Sequence, residues 1–291
     1  MSEQKSGYLL ENFRYFHIRD QKDRSFDYHF HDFNKVILFL EGDVTYYVEG
    51  HPYQLEPGDL LLVRHHSLHK PVISSTKTYE RIVLWTRPGF LEHPLSYEEN
   101  LGQCFGIANR QERCLLRPNT RTLETLRNDL NLLEVSLGSD EFASGILTAT
   151  YFLQFFVHLN RAFNDFESSS LNEETKGDEL IDQVLHYIKT HMNESLTNDD
   201  IANHFYLNRY YLMHRFKEVT GYTIHSYITQ KRLALASEAI KKGTPAMKAA
   251  EQSGFADYST FLRAFRKVYK CSPSSLATND SRLIPDSKSS I

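Results

Sequence analysis

Apolar positions recur along the chain in two different rhythms. From Phe26 to Trp85, short runs rich in Val, Ile, Leu and Tyr alternate with turn signals at Glu41-Gly42-Asp43, Glu49-Gly50 and Pro57-Gly58-Asp59. Runs of that length bounded by Gly, Pro and Asp predict β-strands. From Asn119 to Phe163 the period lengthens to that of a helix. Leu123, Leu126, Leu130, Leu133 and Leu137 fall on one stripe, and a second apolar helix follows the capping residue Asp140. Residues 164–177, NDFESSSLNEETKG, have almost no apolar content and read as a linker. After it the pattern is helical to about Ala277, and residues 278–291 read as a disordered tail. The expectation is an α+β chain of two domains. Residues 1–163 form a β-rich domain with a helical layer, and residues 178–277 form an all-α domain.

Within the all-α part, a short helix over Asp199 to Phe205 is followed by a tight break at Tyr206-Leu207-Asn208. A second helix then runs from Arg209 to Thr220 and is closed by Gly221. Asn208 can cap that helix, and Ile201, Ala202, Leu212 and Phe216 form the apolar seam between the two. Such a helix pair is a helix-turn-helix, whose second helix can lie in the major groove of DNA. The pattern then occurs again. Ala249, Ala250 and Gly254-Phe255 repeat the first helix and turn, Phe261 and Phe265 repeat Leu212 and Phe216, and Asp257 takes the cap position of Asn208. A helical segment from Ile224 to Lys242 separates the copies. At ~1.5 Å per residue it spans roughly 28 Å, close to the ~34 Å between successive major grooves on one face of B-DNA.

Charge strengthens that picture. The 291 residues carry 33 Lys+Arg and 37 Asp+Glu, a near balance that hides two unequal halves. Residues 1–175 have a balance of -8 and residues 176–291 a balance of +4, which suits a polyanionic partner for the second half. Three cysteines without a C-x-x-C pair, no apolar run of membrane length and no secretory h-region point to a reducing cytoplasm.

The segments LNRYYLMHRFKEVTGYTIHSYITQKRLALA and GFADYSTFLRAFRKVYKCSP resemble the AraC/XylS family of bacterial transcription regulators over about Leu180 to Leu276. The resemblance implies base reading by Tyr210, Met213 and His214 in the first reader helix and by Ser259, Leu262 and Arg263 in the second. It implies phosphate contacts by Asn208, Arg209, Lys217, Thr260, Arg266 and Lys267. It also implies double-stranded DNA and RNA polymerase as partners, and activation rather than repression. Two positions depart from the family. Lys270 stands where a Gly usually ends the last helix, and Ala249 replaces a larger aliphatic residue.

In the acidic half, His29-Phe30-His31, the turn at Gly42, Pro57-Gly58-Asp59 and His69 resemble the spacing of a cupin β-barrel over Asp27 to Pro88. Metal-binding cupins place an acidic ligand four or five positions after the HxH pair, but here Lys35 and Val36 occupy those positions. A cation beside three imidazoles opposes metal binding, so no metal or other cofactor is expected. A small-molecule pocket is the better reading. Arg81, Val83 and Trp85 share one strand face, with His29, His31, Glu41 and His69 as polar partners. The effector could be a carbohydrate or related metabolite. The alternative is that Trp85 packs under the helical layer while Arg81 pairs with a surface acid. A rival for the whole chain is a cupin metalloenzyme fused to a DNA-binding domain, and Lys35 argues against it. The G-x-C-x-G outline at Gly102 to Gly106 has no supporting His/Asp pair, so no catalytic residue is expected, and His65-His66 reads as a surface loop. AraC-like proteins commonly dimerise through a helix of the sensory domain, which makes Leu123, Leu126, Leu130, Leu133 and Leu137 the candidate homodimer seam. The same helix could instead pack on its own domain.

Overall fold

The computed structural model describes residues 9, 11–20, 26, 29–73, 78–92, 98–111, 113–169, 178–269 and 271–275. The chain divides into two compact units, Met1–Gly177 and Asp178–Ile291. No helix among the described residues is long and apolar enough to cross a membrane.

The first unit is built in three layers. A five-stranded antiparallel sheet has the order β1 (Phe13–Asp20), β7 (Tyr79–Thr86), β2 (Asn34–Glu41), β5 (Leu60–Val63) and β8 (Leu115–Leu116). A three-stranded sheet has the order β4 (His51–Gln54), β3 (Val44–Val48) and β6 (His69–Ile73). The helices include α1 (Pro88–Glu92), α2 (Gln103–Gln111), α3 (Thr120–Leu137) and α4 (Ser144–Ser169). Strand β2 is apolar from Val36 to Leu40 because both its faces are covered there. Val36 and Leu38 join the helical core with Leu126, Leu130, Phe152 and Phe156, whereas Ile37 and Phe39 join Tyr46, Val48 and Trp85 in a core shared by the two sheets.

Several expectations need correction. Among the described residues the two sheets do not close into a barrel, and an isolated bridge at His29 and His69 is what links the HxH segment to β6. Strand β1 precedes the first expected strand and alternates Phe13 and Tyr15 toward the helical core with Phe16 and Ile18 toward the intersheet core. The expected linker begins inside α4, which continues to Ser169. The polar composition of 164–169 lacks any Gly or Pro to stop a helix, and the remainder of the expected linker lies outside the described residues, as does the expected tail. The leucine stripe is turned inward. Leu126, Leu130 and Leu133 are at most 1% exposed, within the core that α3 shares with α4. Leu123 is half-buried over the Pro57-Gly58-Asp59 turn, so close that a Cβ on Gly58 would lie 2.8 Å from its Cδ2. Gly58 also has a φ of +102°, and that backbone conformation is what favours glycine in the turn. Of the five leucines, Leu137 is the exposed one.

The second unit consists of α5 (Glu179–Thr190), α6 (Asn198–His204), α7 (Arg209–Thr220), α8 (Ile224–Lys241), α9 (Ala246–Gln252) and α10 (Tyr258–Tyr269). Its core contains Ile181, Val184, Ile188, Leu212, Phe216, Tyr227 and Leu233. Helix α8 ends one residue before the expected Lys242, which serves as its C-cap.

Candidate functional site

The two reader helices are held by matching sets of bonds. In the first copy, the small Ala202 and Ile201 of α6 are buried with Leu212 and Phe216 of α7. The turn between them places Tyr206 at a φ of 55°, and the Leu207 N–H donates to the Ala202 carbonyl at 2.9 Å. In the second copy, Ala249 and Ala250 of α9 are buried, as are Phe261 and Phe265 of α10. Gly254 has a φ of 87°, and the Phe255 N–H donates to the Ala250 carbonyl at 3.1 Å. The caps correspond as well. The Asn208 side-chain oxygen accepts from the Tyr210 and Tyr211 N–H groups at 2.9 and 3.3 Å, and the Asp257 carboxylate accepts from the Thr260 N–H at 2.7 Å. Those bonds to Thr260 and Ser259 hold the Asp257 carboxyl below its ordinary range, so it caps as an anion at the positive end of α10.

The outer faces of both helices are polar and cationic. On α7, Tyr210 and His214 are exposed and Met213 is half-buried beside them. On α10, Ser259 and Arg263 are exposed and Leu262 is half-buried. The Arg263 guanidinium donates to Thr260 Oγ1 at 3.2 Å, one helical turn back along the same face. Lys217, Arg266 and Lys267 are exposed near the ends of their helices, and Thr260 is exposed at the start of α10. Asn208 is exposed, but its carbonyl oxygen is committed to the cap, which leaves its NH2 group outside the capping bonds. Arg209 is paired with Asp199 at 3.0 Å. The sequence reading missed Arg215, which joins α7 to the N-cap of α5 through Asp178 at 2.6 Å and also meets Glu218. Its charge pattern alone gave no sign of that long-range pair. Lys270 lies outside the described residues, and Ala249 is completely buried against its neighbours.

In the first unit, most of the candidate effector residues converge between the two sheets. A small pocket there is lined by His29, Lys35, Tyr46, Tyr79, Arg81 and Val83, among others. Arg81 pairs with Asp20 at 2.8 Å, lies over the Tyr79 ring and donates to the Tyr79 carbonyl, so its charge is met by an acid of β1. Trp85, on the same strand face, is 7% exposed and packs against Phe33 and Phe16 in the intersheet core rather than under the helices. Its indole N–H has no hydrogen-bond partner among the described residues. Glu41 departs from the expectation: it lies exposed at the end of β2, just after the bulge at Phe39, and does not line the pocket. His66 also departs, being buried with a φ of 61°, while His65 is half-buried and meets the Asn34 carboxamide at 2.9 Å. Cys104 is completely buried and its thiol is pushed up to about 12 by burial, which makes it a poor nucleophile.

Behind His29 and Lys35 of that lining lies a cluster of imidazoles. The ligand-capable nitrogens of His29, His31 and His69 lie within 4.8 Å of one another. Lys35 Nζ lies 3.4 Å from His31 Nε2 and 3.3 Å from His69 Nε2. Burial, reinforced by the Lys35 charge, pushes both imidazoles well below their ordinary range, so both are neutral. The three histidines alone would fit a transition metal. The ammonium among them does not, so the cluster fails as a metal centre for this chain.

Comparison with known proteins matches both units. The model of the AraC-like ligand binding domain covers residues 14–156, and that of a helix-turn-helix domain covers residues 201–279. The HTH-type transcriptional activator RhaS of Salmonella schwarzengrund is 24% identical over 250 residues, covering 86% of each chain. Its counterpart in Salmonella arizonae matches to the same extent. Among solved structures, ToxT from Vibrio cholerae O395 covers 94% of this chain and 99% of its own, at 16% identity and a TM-score of 0.37. A ligand-binding module of two packed sheets, followed by a helix-turn-helix built twice with the same turn and cap, makes this chain a member of the AraC family of transcription regulators.

Proposed function

We propose that this protein is a sequence-specific transcription activator of the bacterial cytoplasm, controlled by a small-molecule effector and engaging RNA polymerase when bound to DNA. The observation that carries the reading is the repeated bond pattern of the two turns, which presents two capped helices with polar and cationic outer faces. Tyr210, Met213, His214, Ser259, Leu262 and Arg263 read base edges, while Lys217, Arg266, Lys267, Thr260 and the remaining donors of Asn208 and Arg209 meet phosphates. The effector's place is between the sheets beside His29, Arg81 and Val83, among the rings of Tyr46 and Tyr79, where a cavity of about 20 Å³ has to widen to admit it. Relatedness to RhaS supports activation, and a carbohydrate or similar metabolite suits a wall of aromatic rings with polar edges.

The protein works as a homodimer, because a second reader pair on one DNA makes its binding intramolecular and so tightens occupancy. Val135, Leu137, Phe142, Ile146 and Leu147 are exposed around the junction of α3 and α4 and supply apolar surface there, in place of the buried leucines. Effector binding favours one arrangement of the dimer and thereby changes whether both reader pairs reach their half-sites. The alternative of a cupin metalloenzyme is disfavoured by Lys35 at the imidazole cluster. Selection of duplexes by the full chain from a random-sequence pool tests the reading: enrichment of a defined site is expected, and recovery of unrelated duplexes alone overturns it.

A further inference from the structure

Three segments of the first unit deliver four nitrogen-bearing side chains to one point. His29 and His31 come from the segment before β2, Lys35 from β2, and His69 from the start of β6. The orientation of His69 is fixed from behind. Its Nδ1 lies 2.8 Å from the Ser67 carbonyl oxygen, which can only accept, so Nδ1 carries the proton and Nε2 turns a lone pair toward Lys35 Nζ. A backbone carbonyl that holds one ring nitrogen so that the other faces a cation is the usual brace of a metal-binding histidine. The Lys35 side chain is 5% exposed, and its ammonium has donors only, matching imidazole lone pairs in the way a metal ion would.

We propose that Lys35 is the resident cation of a three-histidine metal seat: its ammonium fills the point where a divalent transition metal would be coordinated, and keeps such ions out of the native chain. Two cations cannot share the cradle. An ion bound to His31 and His69 would stand within hydrogen-bonding distance of Nζ, and the repulsion at that separation opposes what three neutral ligands would gain. Without Lys35, the three imidazoles and a water make up the four positions of a tetrahedral site. Position 35 therefore decides whether this sensory unit is a metalloprotein.

Cobalt(II) titration of the chelator-stripped full chain is the test, read by visible absorption and by quenching of Trp85, whose ring centroid lies 6.0 Å from that of His31. The chain has 14 histidines, so the signal is assigned by its loss when His69→Ala is added. Lys35→Ala is expected to take one equivalent of cobalt in tetrahedral geometry, with the native chain at least roughly 100-fold weaker. Lys35→Met keeps most of the stem volume without the charge and decides the matter should Lys35→Ala fail to fold. A His69-dependent cobalt site of equal affinity in the native chain overturns the proposal. So does a folded Lys35 variant that gains none.

Discussion

Lys35 and the imidazoles around it show how one residue can set the chemistry of a site. Its identity was legible in the sequence, because a lysine stood where the HxH spacing called for an acid. Its position between His31 and His69 was not, since no local pattern says that β6 lies against the segment before β2. Burial has a further consequence for these rings. His31 and His69 are neutral in the folded chain but protonate near pH 6.5 once unfolded, so below that pH the unfolded state binds more protons. Their contribution is level above about pH 7 and falls with acidification by about 1.4 kcal/mol per pH unit for each ring. Urea unfolding as a function of pH is expected to lose about one such increment of slope in His31→Phe, which can keep the stack on Phe33; an unchanged slope would show the ring to be protonated when folded. At the reader helices, Arg263→Ala is expected to cost roughly 1 to 3 kcal/mol and to relax preference at its base pair. Lys267→Ala should instead weaken all duplexes alike and reduce the salt dependence by about one ion. Affinities over a salt series for single-base operator variants distinguish the two patterns.

Elements were legible wherever periodicity and caps agreed. Helices α5 to α8 carry Asp178, Thr197, Asn208 and Thr223 at their N-caps, residues whose side chains accept the first free N–H groups. Strand β1 was missed although FRYFHIRD alternates, because its aromatic residues divide between two cores and so show no single apolar face. The leucine stripe shows the opposite limit. A run of leucines at heptad spacing specifies a buried face, but nothing in the spacing says whether the cover is another chain or the chain's own α4. Leu126→Glu with Leu130→Glu is accordingly expected to bury two carboxylates in the core and unfold the first unit, instead of giving a folded monomer. Near-ultraviolet circular dichroism together with sedimentation checks this: a folded protein of halved mass would restore the leucines to a subunit interface.

On the scale of the whole molecule, the division into an acidic sensory half and a basic reader half was visible in the charge balance, and the chain separates into units at Gly177 and Asp178. Closure of a barrel was not readable, because strand count and spacing say little about how the outer edges pair. The second unit has its own core, with Ile201, Phe216, Leu233, Ala249 and Phe265 all at most 1% exposed. Residues 178–291 alone should therefore fold and keep the site preference of the full chain, with lower affinity from the lost avidity. A fragment that selects a different sequence in the random-pool experiment would place part of the recognition in the first unit. The paired turns of that fragment are not equally constrained. Tyr206 bends through its positive φ with its side chain 96% exposed, whereas a Cβ on Gly254 would lie 2.5 Å from the Met192 carbonyl oxygen and against Arg232. The first turn therefore tolerates a side chain that projects into solvent, whereas the second admits only glycine, so a substitution at position 254 disrupts its reader where one at position 206 need not.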